Sequence, residues 1–204
     1  MKREIVARNH DHSHKLKYKI CVSGAAETSH CGEGAVERAE EVGREIARRG
    51  LVLVTGATTG IPYWAAKGAK SEGGIVIGLS PASSKAQHIK VYRLPVDYHD
   101  LIIYTGFEYS GRNLLLTRAS DAVIVLCGRV GTLNEFTIAF EDQKPVGVLE
   151  GPWATDDVIQ TILREGHRGM GKTIFAKKPG ELVDKLLDLI ESEERRNGIK
   201  GRIL

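Results

Sequence analysis

The chain has 204 residues, 42% of them apolar and 27% charged, which is enough to bury a full core without metal or disulfide staples and excludes a disordered or fibrous protein. The formal net charge of +3 is unevenly placed: Lys2, Arg3, Arg8, Lys15, Lys17 and Lys19 against Glu4 and Asp11 give residues 1–19 a balance of +4 and leave the rest at −1. A near-neutral body argues against nucleic-acid binding through a broadly basic surface.

Three cysteines, Cys21, Cys31 and Cys127, form an odd set with no C-x-x-C pair. That pattern argues against a disulfide framework and a zinc knuckle, and predicts free thiols in a reducing cytosol. No apolar run approaches the ~20 residues needed to cross a bilayer. The basic N-terminus lacks the apolar stretch of a secretory signal, so a cytoplasmic location is expected. Asn and Gln together number only seven beside many Glu, Lys and Arg, a composition that leans toward a thermophilic source.

Residues 1–17 are polar and without periodicity, and read as a flexible basic arm. His10, His12 and His14 alternate within it, but a loose arm cannot hold metal ligands at fixed geometry, so no metal is expected there. Residues 18–204 then read as one domain. Tyr18–Ser23 is a strand. Glu33–Arg49 is a helix stopped by Gly50, with Val36, Ala39, Val42, Gly43, Ile46 and Ala47 on one face. Leu51–Thr55 is a strand. Gly60–Glu72 is a helix that tolerates Pro62 in its first turn. Ile75–Leu79 is a strand ending at Ser80-Pro81, and residues 82–99 read as a loop with a short strand. Leu101–Tyr104 (strand), Glu108–Ala119 (helix), Ala122–Leu126 (strand) and Gly131–Glu141 (helix) follow. Val146–Leu149 and Thr173–Ala176 are strands flanking a helix at Asp156–Arg164, and Pro179–Arg196 is a terminal helix.

The strand segments are continuously apolar, as in parallel strands covered on both faces. Repeated βα units imply a doubly wound α/β fold with a mostly parallel sheet of about seven strands and helices on both faces. Ligands in such folds bind beyond the carboxyl ends of the strands, so the loops after each strand carry the functional expectation.

Gly166-His-Arg-Gly-Met-Gly171-Lys172-Thr173 fits the phosphate-binding pattern G-x-x-x-x-G-K-[ST]. That motif works only with a strand before the loop and a helix after it. Here a helix precedes and a strand follows, so a phosphate-binding loop is rejected. No G-x-G-x-x-G follows any strand, which disfavours a conventional NAD site.

Three other loops are glycine- and hydroxyl-rich at the carboxyl edge. They are Ser23-Gly24-Ala25-Ala26, Thr55-Gly56-Ala57-Thr58-Thr59-Gly60 and Cys127-Gly128-Arg129-Val130-Gly131-Thr132. Glycines let backbone N–H groups approach an anion, and helix N-termini favour one. Together they point to a phosphorylated or nucleotide ligand. Ser23, Gly24, Gly56, Thr58, Thr59, Gly60, Gly128, Arg129, Gly131 and Thr132 are the candidate binding residues. Arg112 and Glu135 are the candidate charged pair, meeting at one sheet edge if the fourth and fifth strands are neighbours. Glu135 also closes Thr132-Leu-Asn-Glu135, a T-x-x-E capping box that requires no function.

The chain resembles the LOG-like family, the phosphoribohydrolases that release cytokinin bases and were long labelled lysine decarboxylases. Its P-G-G-x-G-T-x-x-E signature stands here as Cys127-Gly128-Arg129-Val130-Gly131-Thr132-Leu133-Asn134-Glu135. Its G-G-x-x-x-G-x-x-P stretch matches Gly73–Pro81, and its arginine followed by S-D-A matches Arg112 and Ser120-Asp121-Ala122. The likeness spans roughly residues 18–190 and includes Lys144–Val148. Proline and the second glycine of the signature are Cys127 and Arg129 here, and the lysine after the family's arginine is Asn113.

The resemblance implies a Rossmann-like nucleotide-binding fold and a homodimer or larger homo-oligomer. It also implies hydrolysis of a nucleoside 5′-monophosphate to free base and ribose 5-phosphate, with no cofactor. Glu135 would stabilise the sugar cation or activate water, and Arg112 would hold the phosphate or orient Glu135. Arg129 either crowds the phosphate cradle or binds the phosphate itself. A non-catalytic nucleotide-binding or sensing protein is the alternative. Single-stranded DNA binding is a third, disfavoured by the 6% aromatic content.

Overall fold

The structure is a computed structural model and describes residues 16–198. Most of the expected arm, with its three histidines, lies outside the described residues. Seven parallel strands make one sheet. In chain order the elements are β1 (Lys19–Ser23), α1 (Ala35–Arg48), β2 (Val52–Thr55), α2 (Ile61–Ser71), β3 (Ile75–Ser80), α3 (Lys85–Lys90) and β4 (Leu101–Tyr104). They continue as α4 (Glu108–Ala119), β5 (Ala122–Val125), α5 (Val130–Glu141), β6 (Val146–Leu149), α6 (Thr155–Glu165), β7 (Thr173–Ala176) and α7 (Pro179–Arg196).

The strand order is β4-β3-β2-β1-β5-β6-β7. The chain winds outward from β1 to the β4 edge, then returns to the centre at β5 and winds outward the other way. The switch point, where ligands bind in open α/β sheets, is therefore the crevice beyond the carboxyl ends of β1 and β5. Two cores cover the sheet. Helices α1, α2 and α7 close one face around Ile20, Val22, Ile46, Leu53, Ile61 and Leu182. Helices α4, α5 and α6 close the other around Val54, Leu116, Val123, Phe136 and Ile159.

Helices α1 and α2 meet backbone to backbone. A Cβ on Gly43 would lie 1.9 Å from the Ala65 carbonyl oxygen, and one on Gly68 would lie 1.9 Å from that of Glu40. Side chains at either position would force the helices apart. The exposed side of α1 carries a charge network. Arg44 pairs with Glu40 and Glu41, Arg48 with Glu45 and Glu72, and Arg49 with Asp184. Linked pairs of this kind gain weight at high temperature.

Three expectations need correction. Residues 82–99 hold the short helix α3 and no strand; Ser84 caps it by accepting from the Gln87 N–H at 3.2 Å, a local hydrogen bond that outweighs the apolar residues around it. β4 and β5 are not neighbours, because three strands lie between them. Cys31 and Cys127 are not free thiols: they form a disulfide across 96 residues, since the loop after β1 folds back over the end of β5. Cys21 is free and buried. No helix among the described residues is long and apolar enough to cross a membrane.

Candidate functional site

Each βα loop at the switch point contributes to one pocket. Gly24, Ala25 and Ala26 come from the loop after β1, and Thr58 from the loop after β2. Tyr109 and Arg112 come from α4, and Arg129, Gly131, Thr132 and Glu135 from the start of α5. Arg112 reaches this place although β4 is the edge strand. Helix α4 crosses back over the sheet and packs on α5.

The centre of the pocket is a buried ion pair. Arg112 Nη1 donates to Glu135 Oε1 at 3.2 Å, and both side chains are less than a tenth exposed. Ser23 Oγ donates a short hydrogen bond to Glu135 Oε2. The Asn113 amide, oriented to satisfy its neighbours, donates from Nδ2 to Glu135 Oε1 at 2.9 Å and to the Tyr109 carbonyl at 3.0 Å. Burial raises the Glu135 carboxyl above its ordinary value, with Arg112 and Ser23 opposing the shift. Arg112 Nε is buried without a hydrogen-bond partner. The guanidinium lies near the Tyr109 ring, 6.0 Å from its centroid.

The capping-box reading of Glu135 does not hold. Helix α5 begins at Val130, so Thr132 sits inside its first turn, and the Glu135 carboxylate is turned to Ser23 and Arg112. Arg129 is the N-cap residue and supplies no side-chain cap. The first N–H groups of α5 thus have no side-chain acceptor at a helix end that favours anions.

The remaining expected residues shape the pocket without lining it. Ser23 is buried beneath it. Gly56 gives room to Arg112. Gly60 has φ +70°, and a Cβ there would lie 2.1 Å from the Ala25 carbonyl, which accepts from the Ile61 N–H at 2.9 Å. Thr59 Oγ1 donates to the Ala26 carbonyl at 2.8 Å, so Thr59 and Gly60 bind the first two loops together. The Gly128 N–H is taken by Thr155 Oγ1 at 2.8 Å, and a side chain at Gly128 would strike Thr132. Ala57 is held at φ +50° with its N–H on Thr55 Oγ1 at 3.1 Å, a conformation uncommon for alanine.

Tyr109 was not anticipated, although an aromatic one helical turn before Arg112 was visible in the sequence. Ala25 and Ala26 carry no chemical signal. The G-x-x-x-x-G-K-T segment lies elsewhere: β7 starts at Thr173, and Lys172 pairs with Glu193 of α7.

Comparison with known proteins identifies the family. A family model described as the SLOG cluster4 family matches residues 17–183. An uncharacterized protein of Archaeoglobus fulgidus is 36% identical over 134 residues, 66% of this chain and 81% of that one. The cytokinin riboside 5′-monophosphate phosphoribohydrolase of Mycobacterium tuberculosis is 34% identical over 154 residues, 72% of this chain and 77% of that one. Among solved structures, the molybdenum cofactor carrier protein of Chlamydomonas reinhardtii superposes with a TM-score of 0.70 at 25% identity, covering 86% of this chain and 99% of that one. With the match running from before β1 into α7, the chain belongs to the SLOG cluster4 family, on a Rossmann-like nucleotide-binding fold.

Proposed function

We propose that the chain is a nucleoside 5′-monophosphate phosphoribohydrolase, which cleaves the N-glycosidic bond to give a free base and ribose 5-phosphate. The observation that carries this reading is the buried Arg112–Glu135 pair, open to a pocket at the uncapped N-terminus of α5. The 5′-phosphate would sit on the first N–H groups of α5 with Arg129 beside it. Anchoring there holds the ribose C1′ over Glu135.

In the reaction the C1′–N bond breaks with its electron pair going to the base. Positive charge develops on the sugar, as in glycoside cleavage. A water oxygen bonds to C1′, its proton passes to Glu135, and the base takes up a proton. The upward shift of the Glu135 carboxyl suits a base that must hold this proton.

The cleft measures about 160 Å³, below the roughly 300 Å³ of ordinary small-molecule pockets. It suits the ribose phosphate portion, while the base would lie toward Tyr109 and the exposed Phe107. Homo-oligomerisation through the neighbouring face belongs to the same reading. Leu101 and Ile103 on the open β4 edge are about half exposed, and Leu114 and Leu115 on α4 are partly exposed. A cytoplasmic location belongs to the same reading: the thermophile-leaning composition is compatible with a disulfide retained inside the cell.

The test is release of ribose 5-phosphate from a panel of nucleoside monophosphates. Wild type should form product and Glu135→Ala should not; a wild type that forms none sinks the reading. The second reading is a nucleotide or cofactor carrier without catalysis. It draws on Arg129 in place of the signature glycine and on the likeness to the molybdenum cofactor carrier. Ligand binding that survives Glu135→Ala, with no product from either form, would favour it.

A further inference from the structure

A second constellation stands beside the pocket, and nothing in the proposed reaction uses it. His30, Cys31 and Cys127 bring one ring nitrogen and two sulfurs within 4.8 Å of one another. His30 Nε2 lies 3.7 Å from Cys127 Sγ and 3.9 Å from Cys31 Sγ. Zn–S bonds near 2.3 Å and Zn–N bonds near 2.05 Å at tetrahedral angles put nitrogen and sulfur about 3.6 Å apart. The imidazole is therefore already stationed as a metal ligand would be toward both sulfurs. Only the sulfur–sulfur separation must open, to about 3.8 Å on the same geometry.

The surroundings add the features of a metal centre. His30 Nδ1 faces Glu27 Oε2 at 3.7 Å. Glu27 is fixed in turn by the Ser29 N–H at 2.6 Å and the Ser29 hydroxyl at 2.9 Å. At 3.7 Å the contact is longer than a hydrogen bond; it places a carboxylate on the Nδ1 side of the ring, while Nε2 faces the two sulfurs. Both cysteines are fully buried while His30 is exposed, so the cluster has dry sulfur walls and a solvent-facing door.

We propose that the reduced chain binds a borderline-soft divalent cation of the Zn²⁺ class through Cys31, Cys127 and His30, and that the disulfide is the closed, metal-free state of the same site. Two thiolates and one imidazole select this class over Mg²⁺ or Ca²⁺. Three protein ligands leave a fourth position for water or a further ligand. A dithiol reductant opens the site: it gives two electrons and two protons, its own sulfurs join, and the Cys31–Cys127 bond becomes two thiols. The cation then replaces the two thiol protons, which are released, and neutral His30 donates its Nε2 lone pair.

Co²⁺ titration of the full chain, reduced under anaerobic conditions, tests this. The expected result is a thiolate-to-cobalt charge-transfer band saturating at one equivalent, absent from the oxidised chain and from Cys31→Ser. His10, His12 and His14 also attract cobalt but give no thiolate band, and Cys21 is buried in the opposite core. No charge-transfer band in the reduced wild type, or an undiminished band in Cys31→Ser, overturns the proposal. Alkylation of reduced wild type gives a reading that needs no variant. Zn²⁺ should slow modification of Cys31 and Cys127 at least tenfold, and equal rates with and without it overturn the proposal.

Discussion

The Arg112 guanidinium rests directly on Gly56: a Cβ at Gly56 would stand 2.0 Å from Nη1. The same Nη1 donates to Glu135, so the missing side chain on the β2 loop sets where the buried cation can lie. Gly56→Ala should push the guanidinium off Glu135. The expected cost is about 1–3 kcal/mol from overpacking, with a larger fractional loss of ribose 5-phosphate release than of fold. Thermal unfolding and product assay on one preparation check this. An active, equally stable Gly56→Ala protein would show that Arg112 is not held by this contact.

Removing the cation itself should make stability depend on pH. Glu135 titrates above its ordinary 4.5 because burial outweighs Arg112 and Ser23. A carboxyl raised on folding contributes stability that is complete below its unfolded value and lost as pH rises through the folded one. Without the guanidinium the folded value moves higher still. Arg112→Ala should therefore lose about 3–5 kcal/mol near neutral pH, with the deficit shrinking toward pH ~5 as Glu135 takes up its proton. Urea midpoints across this range measure it. Arg112→Ala/Glu135→Gln should have the flatter profile, and parallel curves for wild type and Arg112→Ala would contradict the account.

The parallel fold was legible because β2, β5 and β6 are buried at every residue and so read as unbroken apolar segments. The Arg112–Glu135 pairing was legible as a hypothesis, but its expected cause was wrong. It comes from α4 crossing the sheet to α5, a packing relation that spacing along the chain cannot encode. The Cys31–Cys127 bond was hidden for the same reason. Its two halves are 96 residues apart and meet only because β1 and β5 are neighbours at the switch point. Helix α3 was missed because its six residues are too few for a clear periodicity.

His99 gives a second pH dependence, of opposite sign. Its Nδ1–H donates to the Asp97 carbonyl at 2.8 Å, and Nε2 accepts from Thr55 Oγ1 at 2.8 Å. Burial lowers its pKa below the ordinary 6.5, with His88 acting in the same sense and Asp97 and Asp100 opposing. A histidine depressed on folding contributes stability present above its unfolded value and lost as pH falls through the folded one. Thr55 holds the N–H of Ala57 in the pocket's β2 loop, so protonating His99 should loosen that loop first. Hydrogen exchange at Ala57 and Thr58 should quicken between about pH 7 and pH 5 beyond the intrinsic trend. His99→Gln should abolish the excess; its persistence in that variant would assign it to another group.

The proposed phosphate cation, Arg129, can be set directly against Lys172 of the rejected loop motif. Arg129 stands at the uncapped start of α5 and lines the pocket. Lys172 belongs to the sequence motif but precedes a strand and is already paired with Glu193. Charge-assisted contacts to phosphate contribute about 1.5–3 kcal/mol. Arg129→Ala should thus weaken AMP binding about tenfold or more, and the loss should shrink in high salt. Lys172→Ala should leave the affinity unchanged and affect only the docking of α7. Isothermal titration with AMP and with adenosine completes the test, because the Arg129 effect must vanish when the phosphate is absent. An Arg129→Ala deficit of equal size for adenosine would move that arginine from the phosphate to the base or the ribose.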